Sequence, residues 1–132
     1  MTKYILAVCL AALVGCTTIH EINQKDQFEK TSRSYEQALR WGEWVAASNL
    51  LEAESQTMDY KAIEDLKQIK VTSYEVAEMV IAEDQLQVQQ VVEIQYYHIY
   101  KMKEKTLIDR QTWKYNEKSG WRLVSGFSAV FS

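Results

Sequence analysis

A strict alternation of apolar and polar residues marks the centre of the chain. The apolar members lie on even positions and are Leu86, Val88, Val92, Ile94 and Tyr96. Because successive side chains of a β-strand point to opposite faces of a sheet, the pattern predicts a strand with one buried face. A strand that continued to Met102 would be about 60 Å long. We therefore expect a bend or a bulge near residues 89–91.

The flanking segments share this two-residue period. Residues 69–81 precede the central strand and are separated from it by a polar turn at residues 82–84. Residues 106–115 follow it after a second polar turn, and a hairpin loop then ends at Gly120. One face of the last predicted strand carries Trp121, Leu123, Phe127, Ala129 and Phe131. Four strands joined by short turns predict one antiparallel sheet.

The segment before the sheet has a helical period instead. Between Phe28 and Arg40 the apolar residues fall on one helical face, and Gly42 is expected to end this helix. A second amphipathic piece begins at Trp44, and a third short helix is expected over residues 59–68. The sequence thus predicts an α+β domain, with two or three N-terminal helices packed on one curved antiparallel sheet of about four strands.

The N-terminus has the composition of a targeting segment. Lys3 precedes an apolar run over residues 5–14, and the chain turns polar at Thr17. The uncharged run over residues 4–19 has about 16 residues, which is shorter than the roughly 20 that span a bilayer. A transmembrane helix and a plain secretory signal, which would leave Cys16 as a free thiol, are the alternatives.

Leu13-Val14-Gly15-Cys16 resembles the lipobox of bacterial lipoproteins, in which a peptidase cuts before the cysteine after a lipid is attached to its sulfur. The resemblance implies a signal peptide over residues 1–15, a tether over residues 16–27 that starts at the lipidated Cys16, and a single domain over residues 28–132. Several acyl chains on one residue anchor a protein durably, because each buried CH₂ adds about 0.8 kcal/mol. With Cys9 removed and Cys16 acylated, no cysteine remains for a disulfide or a metal site.

The anchor implies a location in the cell envelope. Because residue 17 is threonine rather than aspartate, we expect the outer membrane, facing the periplasm, in a Gram-negative cell. In a Gram-positive cell the anchor would lie in the cytoplasmic membrane. The net charge changes from −3 to −4 when Lys3 is removed with residues 1–15. We therefore expect no nucleic-acid binding and no attraction to an anionic membrane surface, so that the lipid rather than charge holds the protein at the membrane.

Two segments resemble small lipoproteins of Gram-negative bacteria that have the nuclear-transport-factor-2-like, or cystatin-like, fold. The first is residues 38–44 with Ala46-Ala47 after it, and the second is residues 110–115 followed by residues 120–123 and Ser125. The resemblance implies a sheet that curves around the helices. In related enzymes, such as ketosteroid isomerases and scytalone dehydratases, the concave interior carries out acid-base chemistry, although a shared fold implies no activity for this chain.

Polar residues at inward positions of the strands are candidate pocket residues. With the neighbouring tryptophan they are Gln90, His98, Asp109, Gln111 and Trp113. Proton transfer would need a carboxylate such as Asp109 and a donor such as His98 or a tyrosine. The competing interpretations are that His98 lies at a sheet end near solvent, and that Asp109 pairs with Arg110 or a neighbouring lysine on the outer face. Two distant histidines without a carboxylate cluster predict no metal site, and no cofactor is expected.

These observations predict a membrane-anchored envelope lipoprotein whose domain binds a small apolar ligand or an envelope protein without catalysis. One alternative is an isomerase-like or dehydratase-like enzyme that uses the concave pocket of the sheet. Another is a structural or assembly lipoprotein that acts as a homodimer. Aromatic residues concentrate at one end of the predicted hairpins, where they form either cross-strand core pairs or a contact surface.

Overall fold

The computed structural model describes the backbone of residues 5–52 and 60–127 and the side chains of residues 23–52 and 61–127. Its helices are α1 (Ile5–Trp41), α2 (Trp44–Ser48) and α3 (Tyr60–Leu66). Its strands are β1 (Ile69–Ile81), β2 (Gln87–His98), β3 (Lys105–Asn116) and β4 (Gly120–Leu123). The strands form one antiparallel sheet in the order β1-β2-β3-β4. The predicted α+β class, with helices packed on a four-stranded antiparallel sheet, is confirmed.

Helix α1 is longer than the sequence predicted. It has 37 residues and includes residues 16–27, so helical structure begins well before Phe28. The side chains of Leu13, Val14, Gly15 and Cys16 lie outside the described residues, and the predicted domain boundaries stay a prediction. Among the helices formed by described residues, none is long and apolar enough to cross a membrane.

The end of α1 agrees with the sequence prediction. Gly42 has a φ angle of +71°, and its N–H donates to the carbonyl of Leu39 at 3.3 Å. The next N–H, that of Glu43, donates to the carbonyl of Ala38 at 2.8 Å. This pair of bonds is the Schellman motif, which satisfies carbonyls that a helix end leaves without intrahelical partners. The short helix α2 then begins at Trp44.

We expect Gly42→Ala to lower the free energy of unfolding by about 1 kcal/mol, because a Cβ is disfavoured in the left-handed region. No atom lies within 4 Å of the position that this Cβ would occupy, so the loss comes from the backbone alone. Urea unfolding measures it. Gly42→Asn is the control and should lose less, because asparagine tolerates the left-handed conformation. An alanine variant as stable as wild type would contradict this account of the helix end.

An aromatic core fixes α1 on the sheet. Phe28 packs edge-on against Trp121 of β4, with ring centroids 5.1 Å apart, and Tyr35 packs edge-on against Trp113 of β3 at 5.5 Å. The indole N–H of Trp121 also donates to the backbone carbonyl of Gln24 at 3.1 Å. Edge-to-face aromatic pairs add to the stabilisation that burial provides. Helix α1 is therefore fastened to the sheet from Gln24 onward.

Strand β1 contains the irregularities of the sheet. Its pairing with β2 shifts register between Val71 and Ser73 and again between Val76 and Glu78. Each shift places one extra residue on β1, so the inward positions change from odd to even and back again. The bulge expected near residues 89–91 does not occur in β2, which pairs with β3 in an unbroken register. The second bulge of β1 lies opposite Val91 and Val92 instead.

The last strand is shorter than predicted. Strand β4 ends at Leu123, and Gly126 turns the backbone with a φ angle of +70°. The free edge of β4 is covered by the chain that follows α2, since Leu51 forms a parallel bridge with Leu123. Phe127 is half-buried against the core. Ala129 and Phe131, which the sequence placed in this strand, lie outside the described residues, as does residue 59, the first residue of the third predicted helix.

Candidate functional site

The structure brings four of the five candidate pocket residues together. Gln90 lies directly opposite Gln111 in the β2–β3 register, and Asp109 and Trp113 flank Gln111 at the i−2 and i+2 positions. Directly opposite residues share a face of the sheet, as do residues two apart on one strand. All four side chains therefore point toward the core, where they are buried.

Gln111 is the centre of a hydrogen-bonded cluster, which we call the Gln111 cluster. Its amide nitrogen donates to a carboxyl oxygen of Asp109 at 2.9 Å and to the hydroxyl of Tyr74 at 3.0 Å. Its amide oxygen accepts from the indole N–H of Trp113 at 3.0 Å and from the amide of Gln90 at 3.4 Å. The five side chains of the cluster are each at most 9% exposed. Their polar groups thus satisfy one another away from solvent.

Sequence reasoning missed Tyr74. Its even position follows the buried odd positions Ile69 and Val71, and the bulge at Thr72 turns it toward the core. The pairing of Tyr74 with Ile94, a core position of β2, is the signal that would have identified it. That pairing becomes visible only when the register of the two strands is known.

Asp109 is a buried carboxyl group without an ion-pair partner among the described residues. Burial raises the pKa of Asp109, and the hydrogen bond from Gln111 opposes that rise. The salt bridges that the described side chains form join Lys30 to Asp26 and Lys67 to Glu64, both at the surface. The interpretation that Asp109 pairs with Arg110 on the outer face is wrong, because Asp109 faces the core and Arg110 is exposed.

Two tyrosine hydroxyls complete the surroundings of Asp109. Burial raises the pKa of Tyr74, and it raises that of Tyr35 of α1 well above its ordinary value. A nearby Asp109 charge raises both pKa values further. Both hydroxyls therefore stay protonated at neutral pH. Within the described part of the chain, the Tyr35 hydroxyl has no hydrogen-bond partner.

The cluster has the groups for proton transfer but not the access. A general base must come within about 3 Å of the proton that it removes. The ring of Tyr35 packs on Trp113 above the cluster, and both side chains are fully buried. In this arrangement a substrate does not reach Asp109. The cluster instead joins β1, β2 and β3 through buried side-chain hydrogen bonds.

His98 lies apart from the Gln111 cluster. It is the last residue of β2, eight positions beyond Gln90 and thus about 26 Å along the strand. It is half-buried, pairs with Ile69 at the start of β1, and its ring centroid is 6.2 Å from that of Tyr96. The interpretation of His98 as a residue at a sheet end agrees with this position. A joint role of His98 and Asp109 in catalysis does not.

The exposed apolar side chains concentrate at the two ends of the sheet. One group lies on the second half of β1 and the turn after it and comprises Val76, Met79, Val80, Ile81 and Leu86. Next to it, a depression of about 370 Å³ opens between Phe28 of α1, Ile81 and Trp121. A second group lies in the β2–β3 turn and comprises Ile99, Tyr100 and Met102. The aromatic residues at this end divide between core and surface, because Tyr96 is buried and Tyr100 is exposed.

No group of three or more histidine, cysteine, aspartate or glutamate side chains suited to a metal ion occurs among the described residues. Comparison with known proteins gives no relative, since no family model, no curated protein and no solved structure matches the chain.

Proposed function

We propose that this chain is a lipid-anchored protein of the bacterial cell envelope, and that its folded domain is a non-catalytic binding module. The observation that carries the proposal is the segment Leu13-Val14-Gly15-Cys16, which stands at the end of the apolar run that begins at residue 5, shortly after Lys3. Acylation of Cys16 would hold the protein at a membrane. Thr17 after the cysteine favours the outer membrane, with the domain in the periplasm, in a Gram-negative cell.

The course of α1 supports this anchoring. Residues 16–24 are helical, and Gln24 is the first residue for which a contact with the sheet is described. At 1.5 Å per residue, the cysteine would lie about 12 Å along the helix axis from Gln24. A short helical spacer of this kind would keep the domain close to the membrane without burying it there.

The Gln111 cluster supports a binding role over a catalytic one. The enzyme alternative uses a concave pocket with an accessible carboxylate, whereas Asp109 is hydrogen-bonded and covered by the aromatic residues that α1 brings to the sheet. Helices followed by a four-stranded meander also support the finer proposal of a nuclear-transport-factor-2-like fold. The homodimer alternative stays a prediction. We place the binding function on the exposed apolar residues at the ends of the sheet.

The anchor is tested with Cys16→Ser and the matched control Cys9→Ser, each expressed with a C-terminal affinity tag in a Gram-negative host. We expect wild type and Cys9→Ser to incorporate an alkyne-labelled fatty acid and to fractionate with membranes. Cys16→Ser should lose the label completely and keep the mass of the uncleaved chain. The mass of the N-terminal peptide of the wild-type protein should begin at an acylated Cys16.

Equal incorporation of the label by Cys16→Ser and wild type would show that the lipid is attached to another residue and would contradict the proposed anchor. A wild-type chain that is cut at another residue, with an unmodified Cys16, would instead support a plain secretory signal. A wild-type chain that stays uncut and without label would support the transmembrane alternative.

A further inference from the structure

The turn between β2 and β3 projects large apolar side chains into solvent. Residues 99–104 form this turn, which we call the β2–β3 tip. Tyr100 is 80% exposed and Met102 is 74% exposed. Side chains of this size and exposure, two positions apart on one turn, indicate a contact surface rather than part of the core.

The β2–β3 tip is held in one conformation by backbone hydrogen bonds. The carbonyl of His98 accepts from the N–H groups of Lys101 and Met102, both at 3.0 Å. The N–H of Ile99 donates to the carbonyl of Gln68 at 2.9 Å. Met102 has a φ angle of +51°, a left-handed conformation that glycine or asparagine adopts more readily. The tip thus presents a methionine where the backbone geometry favours a smaller residue.

The β2–β3 tip is positively charged although the chain as a whole is negative. Lys101 and Lys103 lie in the tip and Lys105 follows it, with Glu104 as the single acidic residue among them. All four side chains are exposed. The turn between β1 and β2, at the other end of the sheet, carries the opposite charge, because residues 83 and 84 are acidic. The net charge of the chain therefore hides a local cationic surface.

We propose that the β2–β3 tip binds the surface of an anionic phospholipid bilayer. Lysines near such a surface are attracted to the lipid phosphates, tyrosine favours the headgroup region, and an exposed methionine can enter the acyl boundary. A stable protein interface buries about 800 Å² on each partner, which a projecting turn of six residues does not provide. Insertion into a lipid surface has no such requirement, so the geometry favours a bilayer over an acidic protein.

The β2–β3 tip lies at the end of the domain opposite to the N-terminal segment. Arg40 and Trp41, at the end of α1, lie beside Val71, and β1 begins nearby at Ile69, opposite His98. From Cys16 to Trp41, α1 is about 37 Å long. A bilayer that approaches the tip is thus a different surface from the one at the start of α1. The contact does not depend on acylation of Cys16.

Vesicle binding to the full chain tests the inference. The chain is held in phosphatidylcholine nanodiscs, in which an acylated Cys16 or the apolar run retains it. A chain that is cut as a plain secretory protein has neither and is assayed without nanodiscs, immobilised by its affinity tag, so failure of the proposed anchor leaves this test intact. Added vesicles contain either phosphatidylcholine alone or 30% phosphatidylglycerol, and binding is followed by biolayer interferometry. We expect binding of the phosphatidylglycerol vesicles only, weakened by added salt.

Three double variants separate the contribution of the lysine charges to vesicle binding from that of the inserted apolar side chains and from nonspecific binding. Lys101→Gln with Lys103→Gln should weaken binding about 25-fold, since each lysine contributes about fivefold. Tyr100→Ser with Met102→Asn should also weaken binding, and asparagine suits the left-handed backbone, so folding is kept. Lys114→Gln with Lys118→Gln removes two exposed lysines at the other end of the sheet and should bind as wild type does.

Equal vesicle affinity of wild type and the Lys101/Lys103 variant would overturn the inference. So would a loss of vesicle affinity in the Lys114/Lys118 control as large as that in the Lys101/Lys103 variant. Binding of polyglutamate, without binding of phosphatidylglycerol vesicles, would assign the β2–β3 tip to an acidic protein instead. Absence of both interactions would also reject the lipid contact.

Discussion

Gln111→Leu is expected to lower the free energy of unfolding by about 3–5 kcal/mol, although leucine nearly matches glutamine in size. The change removes the partner of Asp109, Tyr74, Trp113 and Gln90 at once. Each buried polar group left without a partner costs about 1–3 kcal/mol, and the losses are not additive within one network. Urea unfolding followed by tryptophan fluorescence measures the effect.

Gln89→Leu is the matched control for this change. Gln89 is the exposed neighbour of Gln90 on the opposite face of β2, so its replacement should change stability by no more than about 0.5 kcal/mol. The double variant Asp109→Leu with Gln111→Leu should recover part of the loss, because removing both partners leaves fewer unsatisfied groups. If Gln111→Leu and Gln89→Leu were equally stable, the cluster would contribute nothing to the fold.

Asp109→Asn is expected to stabilise the domain at neutral pH and to raise its thermal midpoint by a few degrees. Burial raises the pKa of Asp109 above the ordinary value of 3.8. The folded protein therefore holds this proton more tightly than the unfolded chain does. As the pH rises from 3.8 through the raised pKa, the wild type loses stability, and above the raised pKa the loss is complete. Asparagine cannot ionise, and its amide oxygen still accepts from Gln111.

Thermal unfolding of both proteins at several pH values between 4 and 8 tests whether the wild type loses stability as the pH rises. The stability difference between Asp109→Asn and wild type should grow as the pH rises and should nearly vanish at the acidic end. Asp65→Asn, at an exposed position, serves as the control and should follow the wild-type profile. A difference that is the same at every pH would show that the carboxyl group does not titrate within this window.

Much of the fold follows from local patterns. The two-residue period places β2 and β3 almost to the residue, and the position of Gly42 gives the end of α1. The even parity of Gln90 and the odd parity of Gln111 indicate inward positions for both. These features depend on neighbours a few residues apart, which a sequence displays directly.

Other features depend on partners that are distant in the chain. The bulges in β1 turn Tyr74 inward, and their positions are fixed by the register with β2 rather than by the composition of β1. The early start of α1 could not be predicted from residues 17–27, which have a weak helical period. The burial of Asp109 likewise depends on the placement of α1 over the sheet. The pattern of β3 places Asp109 on one face of the strand, but it does not show what covers that face.

The strand order of the sheet repeats the order of the chain, so each strand pairing closes only a short loop. The bond between Trp121 and Gln24, by contrast, joins residues 97 positions apart. Because closing longer loops costs more entropy, the hairpins can assemble before α1 docks on them. In a chain whose sheet has formed and whose α1 is still undocked, the inner face of the sheet would be open to water, and Gln90, Asp109 and Gln111 would keep part of it hydrated. We therefore expect these polar residues also to make such a partly folded chain less prone to aggregate.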